Sequence, residues 1–261
     1  MTGEPPAITT VHDGVARLTL NNPRRKNAIT LEMAGLIEDF CARVHADDGI
    51  GAVLVDAAGG YFCSGADTRD LAAASDDPAA PESVAGVSAV YGAFVQVGRL
   101  PVPSVSLVAG GAVGAGLNLA LATDLMLVTP DAVLDSGFVA RGIHPGGGHL
   151  SLLGRAAGYQ HAIALGALGV ALSGAEAVRR GLAWDVAGQD DLLETATRLV
   201  AGAAADPQLA RRIKQSATLE LGPPALSWPA ALEVERGTQM WSLGRKGSRG
   251  WDRNPPKPDL S

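Results

Sequence analysis

A chain of 261 residues with 47% apolar and 18% charged side chains can bury a sizeable core, which excludes an intrinsically disordered protein. A formal net charge of −6 argues against a nucleic-acid surface, and two cysteines exclude a disulfide framework or a cysteine zinc cluster. No apolar run approaches a membrane span and the N-terminus lacks the basic and apolar regions of a leader, so a cytoplasmic protein without metal or membrane partner is expected.

Residues 15–20 alternate and follow a second extended stretch across a His12-Asp13-Gly14 turn, which predicts an opening hairpin. Thr30 is a good N-cap, and Met33, Leu36, Ile37, Phe40, Cys41 and Val44 behind it fall at helical spacing. A short buried strand is expected at 52–56 and a mobile loop, possible as a lid, at 72–83. A helix carrying Val87, Val90, Tyr91, Phe94 and Val95 follows. Residues 103–108 and 125–128 read as strands, with a helical turn at 119–122 between them. Beyond about residue 150 the pattern is helical: Ser173 and Glu176 form a capping box, Gly181 stops that helix, and further helices start near Asp190 and span 207–218 and 229–243. The tail from Trp251 should be irregular, and the basic stretch 245–249 reads as a solvated tail or a local anion contact.

Two glycine-rich segments carry the chemistry: Tyr61-Phe62-Cys63-Ser64-Gly65-Ala66-Asp67, and Gly110-Gly111-Ala112-Val113-Gly114-Ala115-Gly116-Leu117-Asn118. Each reads as a strand running into a Gly/Ala turn that opens a helix, and so presents backbone N–H groups to a bound oxygen. Two such donors facing one point make an oxyanion hole. The spacing of Gly110, Gly114 and Gly116 also matches the dinucleotide loop of a short-chain dehydrogenase, an NAD(P) enzyme. That class needs a Tyr-x-x-x-Lys, and here Tyr61, Tyr91 and Tyr159 are followed four residues later by Gly65, Val95 and Ile163.

Taken in order, Asn22-Pro23 through Lys26-Asn27-Ala28, the segment 62–67, the segment 114–120, Asp124, and Gly142-Ile143-His144-Pro145-Gly146-Gly147-Gly148 resemble the crotonase superfamily, the enoyl-CoA hydratase/isomerase family. The resemblance runs from about Val15 to about residue 240. It implies an α/β fold: a four-turn ββα superhelical core over residues 1–195, then a C-terminal helical region over 196–261 that mediates assembly into a homotrimer or a hexamer. The ligand it implies is an acyl-CoA thioester in a bent pose, with coenzyme A entering as part of the substrate and no separate cofactor. By motif position, Ala66 and Ala115 would donate N–H groups to the thioester carbonyl. Ala28, Asp67, Thr68 and Arg69 would lie along pantetheine and adenine, with Arg25 and Lys26 near the phosphates.

The family's hydratases activate water with two glutamates, and the matching positions here hold Asn118 and Phe138. Asparagine orients water but takes no proton, and phenylalanine does neither. An acid found just after the loop proline in some isomerases is also replaced, since Gly146 follows Pro145. Asp135 and His144 are candidate replacements. Asp135 alternatively serves as a turn carboxylate, and His144 as a hydrogen-bonded structural residue. His149 reads as a packing or capping residue, Asp67 as a group that fixes its turn or caps the next helix, and Cys63 as a small core hydrophobe. The resemblance implies enoyl-CoA hydratase as the family-level activity. With both glutamates replaced, hydration should be weak or absent and another CoA-thioester reaction is expected. A non-catalytic acyl-CoA binding protein is the alternative, and the short-chain dehydrogenase a remote one.

Overall fold

The structure is a computed structural model that describes residues 4–70 and 77–222. β1 (Ala7–His12) and β2 (Val15–Leu20) form the expected antiparallel hairpin around Asp13-Gly14, with Ala7 opposite Leu20. From β2 onward one manoeuvre recurs four times: a strand joins a large parallel sheet, an extended segment joins a second layer, and a helix follows.

In the first turn β2 leads to Ile29, which makes a single bridge to Ala66, and then to α1 (Leu31–Ala46). Thr30 Oγ1 accepts from Met33 N, so the predicted cap is present. In the second, β3 (Ala52–Ala57) leads to Cys63, bridged to Ala112, and to a helical turn that opens at 68; α2 (Pro81–Gly98) follows. The third comprises β4 (Ser104–Val108), β5 (Gly111–Val113) and α3 (Ala115–Ala122). The fourth comprises β6 (Leu125–Val128), β7 (Val133–Asp135) and α4 (His149–Ala157).

Then come α5 (Tyr159–Gly166), β8 (Leu172–Ser173), α6 (Gly174–Arg179), β9 (Asp185–Val186), α7 (Leu192–Ala205) and α8 (Pro207–Leu221). The large sheet runs β1-β2-β3-β4-β6-β9 and the small one β5-β7-β8. Ser173 and Glu176 make the reciprocal capping box.

Alternation along β3 shows why it is apolar throughout. Val53 and Val55 face the main core with Phe40, Phe62 and Phe94, while Ala52 and Leu54 face Leu192, Ala196 and Val200 of α7. Residues 195 and 196 therefore lie within a helix that covers the sheet. α8 is tied back by an ion pair from Lys214 to Asp124, and the Arg211 guanidinium donates to Val44 O at 2.8 Å.

Two expectations need correction. α3 starts at Ala115 rather than at 119, because flanking glycines of low helix propensity hide its first turn. α2 starts with Pro81 in its first turn, so the stretch expected as loop to residue 83 ends three residues earlier. The remainder of that loop, the helix expected at 229–243, the basic stretch 245–249 and the tail from Trp251 lie wholly or mainly outside the described residues.

Asn27 fastens the first turn to the second. Fully buried, it accepts from Asn22 N (2.7 Å) and donates to Ala58 O (2.9 Å) and Tyr61 O (2.7 Å). Asn27→Leu strands those three backbone groups, and urea denaturation should show a loss of about 3 kcal/mol. A loss below about 1 kcal/mol would show that the segments are held otherwise.

Candidate active site

The bridge between Ile29 and Ala66 decides which way Ala66 faces. Ile29 N donates to Gly65 O (2.8 Å) and Asp67 N donates to Ile29 O (3.0 Å), so both groups of Ile29 bond the residues flanking Ala66. In a parallel pairing this turns the N–H of Ala66 to the opposite side, where Ala66 lines a cavity of about 410 Å³. Gly65 adopts φ +109°, open only to glycine, and a Cβ there would stand 3.0 Å from Val113 O and 3.7 Å from Ala115 N. The two glycine-rich turns therefore touch.

Ala115 is the first residue of α3, where backbone N–H groups have no partner within the helix. Gly114 before it has φ 55°, ψ −118°, again a glycine conformation, and lets the strand turn into the helix within one residue. Ala66 and Ala115 thus bring two N–H-bearing turns to one cavity wall.

The cavity also gathers Thr68, Asn118, Phe138 and His144 from the sequence-based candidates. Leu31, Val87, Val90, Tyr91 and Ile143 make much of the wall apolar, and Asp70, Glu82 and Arg141 add charged groups. The described residues contain no cluster of three or more metal-ligating side chains, and no helix among them is long and apolar enough to cross a membrane.

Beside the cavity, Asp67 is 1% exposed and sits between two guanidinium groups. Arg25 pairs with it, and Arg69 reaches it at 3.3 Å; Asp67 Oδ1 also accepts from Arg69 N at 2.9 Å. The carboxylate holds the turn after Ala66 and gathers two cations there. Ala28 is buried, its N–H donating to Arg25 O at 3.1 Å. Asp135 caps its own turn through Gly137 N (2.8 Å) and does not line the cavity, whereas the exposed His144 donates from Nδ1 to Pro145 O (2.7 Å) at its edge.

Behind Asn118 lies a connection that spacing alone did not reveal. Asn118 Nδ2 donates to Gly146 O (3.0 Å), so Oδ1 faces His149 Nδ1 at 2.7 Å, and His149 Nε2 lies 2.5 Å from Ser136 Oγ. An amide oxygen only accepts, which puts the proton on Nδ1 and leaves Nε2 to accept from the serine hydroxyl. Phe138 meets the imidazole edge-on with centroids 5.0 Å apart. Burial lowers the His149 pKa from 6.5 to about 4, with the charge of Asp135 acting in the opposite direction. Burial likewise pushes the Cys63 thiol up to about 12, which suits an inert core residue.

Comparison with known proteins gives this architecture its class. Residues 10–236 match the family profile described as Enoyl-CoA hydratase/isomerase. A Mycobacterium tuberculosis protein named "Probable enoyl-CoA hydratase EchA14" is 40% identical over 220 residues, covering 83% of this chain and 84% of that one. The 1,2-epoxyphenylacetyl-CoA isomerase of Escherichia coli is 34% identical over 203 residues, covering 77% and 76%. The crystal structure of an enoyl-CoA hydratase from Polaromonas sp. JS666 superposes with a TM-score of 0.84 at 26% identity, covering 95% of this chain and 98% of that one. The chain belongs to the enoyl-CoA hydratase/isomerase family and has the crotonase fold.

A buried neutral histidine makes stability sensitive to acid. The native pKa is lower than the unfolded one, so the unfolded state binds the extra proton and stability falls as pH drops through the window from 6.5 to about 4. The loss should reach about 3 kcal/mol. Urea denaturation at pH 7 and pH 4.5 should show a shallower pH slope for His149→Gln than for the parent; equal slopes would place His149 in contact with water.

Proposed function

We propose that the chain binds an acyl-CoA thioester in this cavity and acts on it by stabilising negative charge on the thioester oxygen, in a reaction other than efficient hydration of an enoyl-CoA. The observation that carries it is the meeting of the two turns, Gly65-Ala66 and Gly114-Ala115, with the N–H of Ala66 turned away from Ile29 and that of Ala115 at a helix N-terminus. Donors fixed in this way stabilise an enolate or tetrahedral oxyanion by a few kcal/mol each, about 3–4 in the best-measured case. Arg25, Ala28, Asp67, Thr68 and Arg69 would run along the coenzyme, with the two arginines toward its phosphates. The apolar wall around Val87, Val90 and Tyr91 would take the acyl group.

Asn118 and Phe138 support the negative half of the proposal. Asn118 spends its amide on Gly146 O and His149, and Phe138 packs on the imidazole, so neither is placed as a carboxylate would be to take a proton from water. Coenzyme A would enter only as part of the substrate. Assembly as a homotrimer or hexamer in the cytoplasm follows the family resemblance. Binding of an acyl-CoA without turnover is the second reading, favoured by the same two substitutions.

Two outcomes are expected. Ala115→Pro deletes one N–H at the first helical position, where proline is tolerated, and should abolish turnover or tight thioester binding while leaving the thermal transition near its place. A folded variant with unchanged behaviour would remove Ala115 from the site. Hydration of crotonyl-CoA should run at least about 100-fold below the rate of an enzyme with both acids; full turnover would show that another group activates the water.

A further inference from the structure

Ser136, His149 and Asn118 form a directed chain of hydrogen bonds at the cavity wall. The β5–β7 register sets Val113 opposite Asp135, and therefore Gly114 next to Ser136. A Cβ on Gly114 would stand 3.5 Å from Ser136 O. Ser136 lines the cavity one position before the level of Ala115. The proton arrangement follows from acceptor-only atoms: Gly146 O takes Asn118 N–H, Asn118 Oδ1 takes His149 Nδ1–H, and His149 Nε2 takes Ser136 Oγ–H. A hydroxyl, a neutral imidazole of fixed tautomer and an amide that holds it are the parts by which a serine is activated as a nucleophile.

We propose that Ser136 is a nucleophile, with His149 as its base and Asn118 as the positioning residue, and that the site hydrolyses a CoA thioester through an acyl-serine. This rests on the reading of the cavity as a thioester cradle. Ser136 Oγ attacks the thioester carbonyl carbon as its proton passes to His149 Nε2, and the N–H groups of Ala66 and Ala115 hold the oxyanion. The C–S bond breaks, and the coenzyme thiolate takes the proton back from His149. Water then attacks the ester and gives its proton to His149, which returns it to Ser136 Oγ as the carboxylic acid leaves. Acyl-CoA and water become a carboxylic acid and CoA-SH, with no oxidant or reductant required.

Asn118 then has a role that a glutamate would fill differently. An amide oxygen fixes the Nδ1–H tautomer without adding charge, so the imidazole stays neutral with its lone pair on the serine. Phe138 packs against the imidazole and adds to its apolar surroundings. Burial also holds the imidazole unprotonated well below neutrality. Such a base is weak, but a thioester is an activated acyl group, and the fixed geometry supplies much of the advantage.

The test uses butyryl-CoA and octanoyl-CoA, saturated thioesters that can undergo neither hydration nor a double-bond shift. The full-length protein is mixed with each while free thiol is followed with Ellman's reagent, and intact and peptide mass spectra are taken. Thiol release with an acyl adduct on the Ser136 peptide is expected, and Ser136→Ala should slow release by at least about 100-fold while it stays folded by circular dichroism, with a modestly lower thermal transition because His149 Nε2 loses its partner. Ser136→Cys, which keeps a nucleophile at the position, should still form the acyl adduct on that peptide. Calorimetric binding of both thioesters without thiol release, or release unaltered in Ser136→Ala, would leave the chain of bonds purely structural and overturn the proposal while the cradle stands. Absence of any binding would remove the cradle and the proposal together.

Discussion

Ile29 gives its N–H to Gly65 and takes the N–H of Asp67, and the site depends on the residue skipped between them. A parallel bridge leaves alternate backbone groups pointing to opposite sides, so fastening Gly65 and Asp67 inward aims Ala66 outward. The same geometry pins the Gly65 turn against Ala115 N, which a helix start leaves without an intrahelical partner. Nothing in the side chains of Ala66 or Ala115 takes part. The polarity of this wall is built from backbone, held by a repeated ββα path that returns the chain to the same place four times.

Around that backbone the side chains divide into two kinds. Asp67, almost wholly buried between Arg25 and Arg69, fixes the first turn and concentrates cationic groups beside it. Asn118, His149 and Ser136 form an uncharged series reaching the wall from behind the second turn. Asn118 holds the middle of a hydrogen-bond chain, and the ring of Phe138 packs against it. The polar atoms of Asn118 and both ring nitrogens of His149 are all partnered.

Much of this was legible in the sequence, for physical reasons. The hairpin, α1 with its Thr30 cap, β3, β4, β6 and the Ser173–Glu176 box all announce themselves through periodicity or local capping chemistry. β5, β7, β8 and β9 span two or three residues each, too short for a period of two to emerge, and they exist because the spiral carries them to a partner. The two turns that meet at Ala66 and Ala115 were readable because each lies inside a glycine-rich motif. The series behind them was not: His149 lies 31 residues from Asn118 and 13 from Ser136, and its place at the start of α4 reads locally as capping. Asp135, a candidate acid by proximity in sequence, is turned into its own loop, and Ser136 beside it, buried at the cavity lining, gives its hydroxyl to His149.

The central claim is that two backbone N–H groups converge on one thioester oxygen, and the carbonyl of a bound ligand reports it directly. Isotope-edited infrared difference spectroscopy of a carbonyl-¹³C-labelled acyl-CoA, recorded with the protein in excess, reads the polarisation of that bond. The account predicts a bound carbonyl stretch moved to lower frequency than that of the free thioester, because both donors draw electron density onto the oxygen. A thioester that binds stoichiometrically and keeps the frequency it has in water would contradict it.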